Sequence, residues 1–497
     1  MFYYLVWIMK NIPLFELRNN NLLPFKFKKL FSGKYFLSND YGEWVILSEN
    51  DFRNLIENKL DDENIKNILV QKNMILSEWV DLSKVVNLLA GKWLLRHHYL
   101  LHWPSLHIVV VTLWCNQSCR YCHASAPWKD KKYNMSKQMA KKVVDVIFQT
   151  TSWEITIEFQ WWEPLYNWDV VKYIIEYAEK KNEKYKLKLT FALVSNLTLM
   201  DDEKMDYLLK HKVRISTSLD GPKEVHDWNR PRTKWSSFEK VVYWIKKINK
   251  EYKKRNIRAR VWAIATATRK ILDKYKEIVD LYINLWLHSI FIRPLNPYWF
   301  AAKTWDIVWY SMEEYEEFYK NMINYIRKVR KEKLKKWLKK ISMFKDAYAE
   351  WIIGYNLNSC QRLNFMEERT PCGAVLWQIA YNYDGKIYTC DEWRMLAEAW
   401  DYSFKVWEIS LEKSAKQIRK ELITNVLTRY MVSSSIIDTI PWYDTNPVSN
   451  YCGVCPIYSY IKSWNLVSKY RKEWRMRLQE FVIENLLSNI DLWEKEA

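Results

Sequence analysis

From His107 to about Pro297 the chain alternates strand-forming runs with amphipathic stretches of helical period. The runs are HIVVVTL, EITIEF, LKLTFALVS, VRISTSL, RARVWAIAT and SIFIRPL, and helical stretches near 136–148, 170–180, 201 onward, 238–250 and 270 onward separate them. A strand followed by a helix cannot return as a hairpin, so successive strands pair in parallel and reactive groups gather at their carboxyl ends. The expected fold class is therefore α/β. Three shorter runs, FKFKKL, KYFLS and EWVILS, precede this region and are followed by helices, which predicts a small α+β module within residues 1–100. A charged helical bridge is expected within 306–350. An irregular Cys-bearing segment follows at 351–460, with a hairpin in IAYNYDGKIYTC turning at Asp384-Gly385, and an amphipathic helix at 461–497.

No run of 18 apolar residues occurs. The opening MFYYLVWIM is too short to span a bilayer and lacks a basic flank, so the expectation is a cytoplasmic protein with no membrane partner, whose first Met is a mis-assigned upstream start. The formal charge of +19 suits nucleic acid, an acidic surface or an acidic peptide. Lys, Asn, Ile and Tyr share AT-rich codons, so base composition explains part of that charge and nucleic acid is not the favoured partner. Eight Cys in a long chain without an export signal point to metal or catalysis rather than to disulfides.

Glycine is the anomaly. At a usual share of about 7% a chain of this length carries about 35, yet this one has 8 Gly and 29 Trp. The Trp surplus nearly fills the Gly deficit. Turns that need φ > 0 take Gly, Asn or Asp and gain nothing from an indole. Many of these Trp are therefore expected to be glycines, encoded by UGA and decoded as Trp. Trp161 and Trp162, at the end of EITIEF before Glu163-Pro164, are the sharpest case, and Trp235, Trp400 and Trp407 also fall at expected turns.

The chemistry starts directly after HIVVVTL, in CNQSCRYCHA, with Cys115, Cys119 and Cys122. Three thiolates on one tight loop hold three irons of a cubane and leave the fourth without a protein ligand, where a small molecule can bind. The zinc reading needs a fourth ligand, for which His123 stands nearby.

This loop resembles the CxxxCxΦC signature of radical S-adenosylmethionine (SAM) enzymes, with Tyr121 as the aromatic. The resemblance implies a partial (β/α)6 TIM-type barrel at 101–305, a 4Fe-4S cluster on Cys115, Cys119 and Cys122, and SAM chelating the open iron. It also places Trp161, Trp162, Glu163 and Pro164 where the family has a GGEP motif that holds the SAM amine. LVSNLTL resembles the family's fourth strand, which makes Asn196 a SAM-pocket residue. STSLDGP resembles the fifth, which brings Ser218 and Asp220 toward the SAM ribose or carboxylate.

Cys372, Gly385-x4-Cys390 and Cys452-x2-Cys455 resemble the SPASM and twitch domains of peptide-modifying radical SAM enzymes, implying one auxiliary 4Fe-4S cluster; Cys360 is left over. A zinc knuckle is the competing reading. RLNFMEERTPCGAVLWQIAYNYDGKIYTCDEWRML and NYCGVCP look most similar to the His-Xaa-Ser maturases of the HxsB type, with Trp299, Trp377 and Trp393 standing where Gly is expected. That resemblance implies a ribosomally made precursor peptide, a partner maturase and an electron donor such as flavodoxin or ferredoxin. The implied reaction is reductive cleavage of SAM to methionine and a 5'-deoxyadenosyl radical, which takes hydrogen from the peptide. Asp391 stands where similar sulfatase-maturating enzymes keep a proton-accepting Asp. By the same resemblance the N-terminal module is a peptide-recognition element, with Lys26, Lys28 and Lys29 favouring an acidic leader. Two other functions are open at this point: formylglycine-generating sulfatase maturation, and a basic zinc-bearing protein that binds nucleic acid or peptide.

Overall fold

The structure, a computed structural model, describes residues 21–77, 81–101, 104–122, 131–149, 152–232, 235–296, 304–335, 344–359, 369–374, 376–398, 401–441, 443–467 and 474–488. The opening run MFYYLVWIM, His123, Trp299, Cys360 and Trp400 lie outside the described residues.

Strands β1 (Lys26–Lys29), β2 (Tyr35–Ser38) and β3 (Trp44–Leu47) form an antiparallel sheet in that order. Helices α1 (Glu49–Ile56) and α2 (Glu63–Gln71) follow, their N-termini capped by the side chains of Ser48 and Asp62, and α3 (Leu82–Arg96) leads out. Leu37, Leu47, Leu55, Leu69 and Met74 give this module a small core of its own. It is tied to a distant stretch of chain: Ser38 Oγ donates to the Pro447 carbonyl at 2.6 Å, and Asn450 Nδ2 to the Asn39 carbonyl at 2.8 Å. The three lysines of β1 are not free to attract a leader, because Lys26 pairs with Asp40 and Asp438, Lys28 with Glu484, and Lys29 with Glu49. Sequence reading cannot see pairings across more than 400 residues.

Six parallel strands follow in sequential spatial order: β4 (Leu106–Val109), β5 (Glu154–Phe159), β6 (Lys188–Ser195), β7 (Arg214–Ser218), β8 (Trp262–Thr266) and β9 (Ser289–Arg293). Helices α4 (Lys137–Ile147), α5 (Trp168–Tyr185), α6 (Asp202–Lys210), α7 (Ser237–Lys254) and α8 (Tyr275–Asn284) fall between them. Ile155, Ile157 and Phe159 of β5 join Val143, Val144 and Ile147 of α4 and Val171, Ile174 and Ile175 of α5 in one core. The alternate residues Thr156 and Glu158 therefore face the other side, the inside of the barrel.

The bridge helix α9 (Met312–Lys335) is followed by β10 (Lys345–Asp346), which pairs parallel to β9. At the opposite edge β11 (Gln378–Tyr381) pairs parallel to β4, and β12 (Lys386–Tyr388) and β13 (Lys405–Glu408) extend it antiparallel. The Cys-bearing segment thus continues the barrel sheet. Its hairpin turns at Gly385, which has φ 87°. Short helices α10 (Asp391–Ala397), α11 (Pro456–Ser463) and α12 (Trp474–Leu487) complete the part described below. No helix among the described residues is long and apolar enough to cross a membrane.

Ten described non-glycine residues have positive φ, and four of them are Trp: Trp161 (74°), Trp162 (52°), Trp286 (59°) and Trp464 (54°). A bulky side chain in that region is an outlier, costing about 1–2 kcal/mol per residue. Trp286 follows the end of α8, and Trp464 caps α11 in the left-handed conformation; 60% and 80% exposed, neither gains a core contact for its strain. These are helix C-terminal positions where glycine ordinarily stands. Trp235, Trp377, Trp393 and Trp407 do not have left-handed backbone, so the conformational argument does not extend to them.

Candidate active site

The carboxyl ends of β4, β5 and β6 are welded together by one buried carboxylate. Glu163, with no exposed surface, accepts hydrogen bonds from Ser195 Oγ (2.8 Å), the Asn196 amide (2.8 Å) and the Leu165 amide (3.2 Å), while its own amide donates to the Trp114 carbonyl (2.9 Å). Burial raises its carboxyl to about 7, with the three donors pulling the other way. Pro164 opens the 3-10 turn that follows, a position where its missing N–H costs nothing. Glu163→Ala would strand three buried donors, and is expected to lower stability by about 2–4 kcal/mol in urea unfolding of the cofactor-free protein.

The three thiols lie on the loop leaving β4. Asn196 Nδ2 reaches Cys115 Sγ at 3.8 Å and Asn116 Oδ1 at 2.9 Å, and Asn116 in turn donates to Thr198 Oγ1 at 2.7 Å. On the other side Arg230 Nη1 lies 3.7 Å from Cys119 Sγ. Arg230 Nε is bound to Asp220 Oδ2 at 2.9 Å, and Tyr121 Oη donates to that same oxygen at 2.7 Å. Burial favours the neutral form of Asp220, but Arg230, His226 and the Tyr121 hydroxyl together outweigh it and hold the carboxyl below its ordinary range. Burial raises the Cys115 and Cys119 thiols; neighbouring thiols and Glu163 add to this at Cys115, and Arg230 opposes it at Cys119.

Asp220 therefore braces the thiol loop through Tyr121 and Arg230. Ser218 ends β7, half-buried, two residues before it. Arg230 was missed by sequence reading. Its one signal was a charged HDWNRPR stretch separated from Asp220-Gly221 by four residues.

Whether these residues fit an iron-sulfur cube is a question of donor spacing. Their Sγ atoms are not all within 4.8 Å of one another. A single zinc ion, about 2.3 Å from each sulfur, would hold them about 3.8 Å apart. A cubane puts each thiolate on a different iron and spreads them wider. Three thiols on one loop, with the Asn196 amide and the Arg230 guanidinium reaching Cys115 and Cys119 from neighbouring segments, fit the cluster.

At the end of β5 the two indoles turn toward the Cys-bearing segment. Trp161 Nε1 donates to Asp391 Oδ2 (3.1 Å), and the Arg394 guanidinium stands 4.5 Å from the centre of the Trp162 ring. Asp391 is buried, not solvated, and also accepts from Gln160 Nε2 (3.2 Å) and Gln378 Nε2 (2.5 Å). Cys372, Cys390 and Cys455 line one small cavity with Glu392, Trp393 and Met431. Cys452 is fully buried beside it, packed into the main core and absent from the lining.

Residues 109–259 match the model of the radical SAM superfamily. The radical SAM cyclopropyl synthase TigE of Paramaledivibacter caminithermalis is 27% identical over 132 residues, covering 24% of this chain and 27% of that protein. A cysteine-type anaerobic sulfatase-maturating enzyme of Clostridium perfringens is 25% identical over 315 residues, covering 59% of this chain and 76% of its own length. Among solved structures, anSMEcpe with bound AdoMet aligns with a TM-score of 0.59 at 15% identity, over 79% of this chain and all of that one. Streptococcus suis SuiB bound to precursor peptide SuiA aligns with 0.51 at 12% identity, over 91% and 98%. These likenesses show the fold: a radical SAM α/β core with a central parallel sheet. The cofactors of that domain are a 4Fe-4S cluster and SAM.

Proposed function

We propose that this radical SAM enzyme is a peptide maturase acting on a ribosomally made precursor of the His-Xaa-Ser type. The observation that carries the reading is a second thiol-lined cavity, Cys372, Cys390 and Cys455, in the segment whose strands extend the barrel sheet, with Asp391 next to Cys390 and hydrogen-bonded to Gln160 at the end of β5. Cys115, Cys119 and Cys122 would hold the SAM-binding cluster, which with SAM supplies one-electron cleavage and a hydrogen-abstracting carbon radical.

This chain's own residues do the rest. Glu163 fixes the strand ends that frame the SAM pocket, and Asn196 and Arg230 support the thiol loop from two sides. Cys372, Cys390, Cys452 and Cys455 would hold an auxiliary 4Fe-4S cluster. The N-terminal sheet serves as a peptide-recognition element by adding a strand of precursor at an open edge. A chain lacking residues 1–77 is expected to keep its cluster absorbance and to bind precursor at least about ten-fold more weakly by anisotropy. A flavodoxin or ferredoxin would deliver electrons, and a partner maturase would act on the same peptide.

Sulfatase maturation is the second reading, favoured by the likeness to the Clostridium perfringens enzyme and by Asp391 directly after Cys390. Anaerobic incubation with SAM, dithionite and either the gene-neighbour peptide or a sulfatase-motif peptide separates the two by mass spectrometry. A mass change confined to the sulfatase peptide would reject the precursor reading.

A further inference from the structure

The inner face of β5 carries a second carboxylate that the site described above leaves unused. Glu158 lies between Ile157 and Phe159, which point into the helix layer, so its side chain faces the barrel interior. Its register neighbours there are Ile108 on β4 and Ala192 on β6, neither of which offers a hydrogen bond. Two residues on, along the same face, Gln160 reaches Asp391. Asp391 is the acid and Arg293, at the end of β9, the cation whose charges act on Glu158. No described donor hydrogen-bonds the Glu158 carboxylate and no described cation lies within salt-bridge distance of it, although it is only partly exposed. A carboxylate placed so, with its lone pairs open toward the barrel interior, is an unusual choice for structure alone.

Asp391 differs in that respect. Gln160 and Trp161 occupy one of its oxygens and Gln378 the other. Even with glycine at 161 the two glutamine amides would remain, so it is a fixed acceptor.

We infer that Glu158 is the residue that accepts the substrate's proton during peptide modification, with Asp391, held by Gln160 and Gln378, positioning the peptide. The inference rests on the peptide-maturase reading. Modification by hydrogen abstraction and oxidation removes two hydrogens from the peptide. One leaves as an atom to the deoxyadenosyl carbon. The other leaves as a proton, its bond to the substrate breaking with the electron pair kept by the substrate while an O–H bond forms on Glu158. The remaining electron would pass to an oxidised iron-sulfur cluster held by the Cys residues named above. Burial, and then the charge of Asp391, push the Glu158 carboxyl up to about 7 against the pull of Arg293, so near neutral pH it can both take a proton and return it.

The test compares E158Q and D391N in the anaerobically loaded enzyme carrying W161G/W162G. E158Q is expected to cleave SAM within about two-fold of the parent rate while peptide modification falls at least about 100-fold, and D391N is expected to lose less. Infrared titration of the cofactor-free protein gives a readout independent of turnover. The parent should show one more carboxyl equivalent titrating near pH 7 than E158Q, with Glu163 and Asp346, also raised to about 7, common to both. Parent-like modification by E158Q, loss of SAM cleavage in it, a larger loss in D391N, or an unchanged carboxyl count would each overturn the assignment. Failure of the parent to modify any peptide would instead count against the maturase reading, and the infrared comparison would still decide for or against Glu158.

Discussion

Replacing Trp161 and Trp162 by glycine is expected to raise SAM affinity at least about 100-fold, measured by equilibrium dialysis of the reconstituted protein. Both residues have left-handed backbone, which an indole adopts only at a cost and glycine adopts freely. Both rings are part-buried between the end of β5 and the Cys-bearing segment, against Asp391 and Arg394. Arg394 has no exposed surface, and its guanidinium makes no hydrogen bond among the described residues, standing 3.6 Å from the Glu398 carboxylate. A buried cation left in that state marks a neighbourhood packed around the wrong side chains. Removing about 3 kcal/mol of steric conflict corresponds to the stated factor. The gene is expected to carry UGA at codons 161, 162, 286 and 464, and host-derived peptides to show the glycine mass there. UGG at these codons, or tight SAM binding by the Trp form, would refute this part of the account.

Changing Cys115, Cys119 and Cys122 to Ala together is expected to abolish SAM cleavage and to remove about four irons per chain, leaving the iron of the auxiliary site. The loop should survive, because Tyr121, Asp220 and Arg230 brace it without the thiols. Iron analysis and 5'-deoxyadenosine formation read the two effects separately. Changing Cys390 and Cys455 instead should spare SAM cleavage in the absence of peptide.

Much of this was legible because the controlling patterns are local. The alternation of strand runs such as EITIEF and LKLTFALVS with helical stretches implied a parallel sheet, and the strands do pair in parallel. The thiol triad sits within eight residues of one loop. What escaped was long-range. That β11 joins the edge of β4, in register Ala380 with Ile108, depends on packing across 272 positions that no periodicity records. The hold of Gln160 and Gln378 on Asp391, and of Arg230 on Cys119, is of the same kind. Glu158 carried no signal in the sequence beyond its place in EITIEF, because what faces it comes from other strands and from the Cys-bearing segment. Individual glycine sites escaped because composition counts residues without locating them, whereas a positive φ locates them one at a time.

The most direct test of the central claim, radical chemistry on a peptide, is to follow hydrogen itself. The W161G/W162G enzyme, anaerobic and reduced, is incubated with SAM and a gene-neighbour precursor peptide deuterated at its carbon-bound positions, and the 5'-deoxyadenosine is weighed by mass spectrometry. Transfer of one deuterium into 5'-deoxyadenosine, together with a changed peptide mass, is the predicted result. Unlabelled 5'-deoxyadenosine beside an unchanged peptide would contradict it.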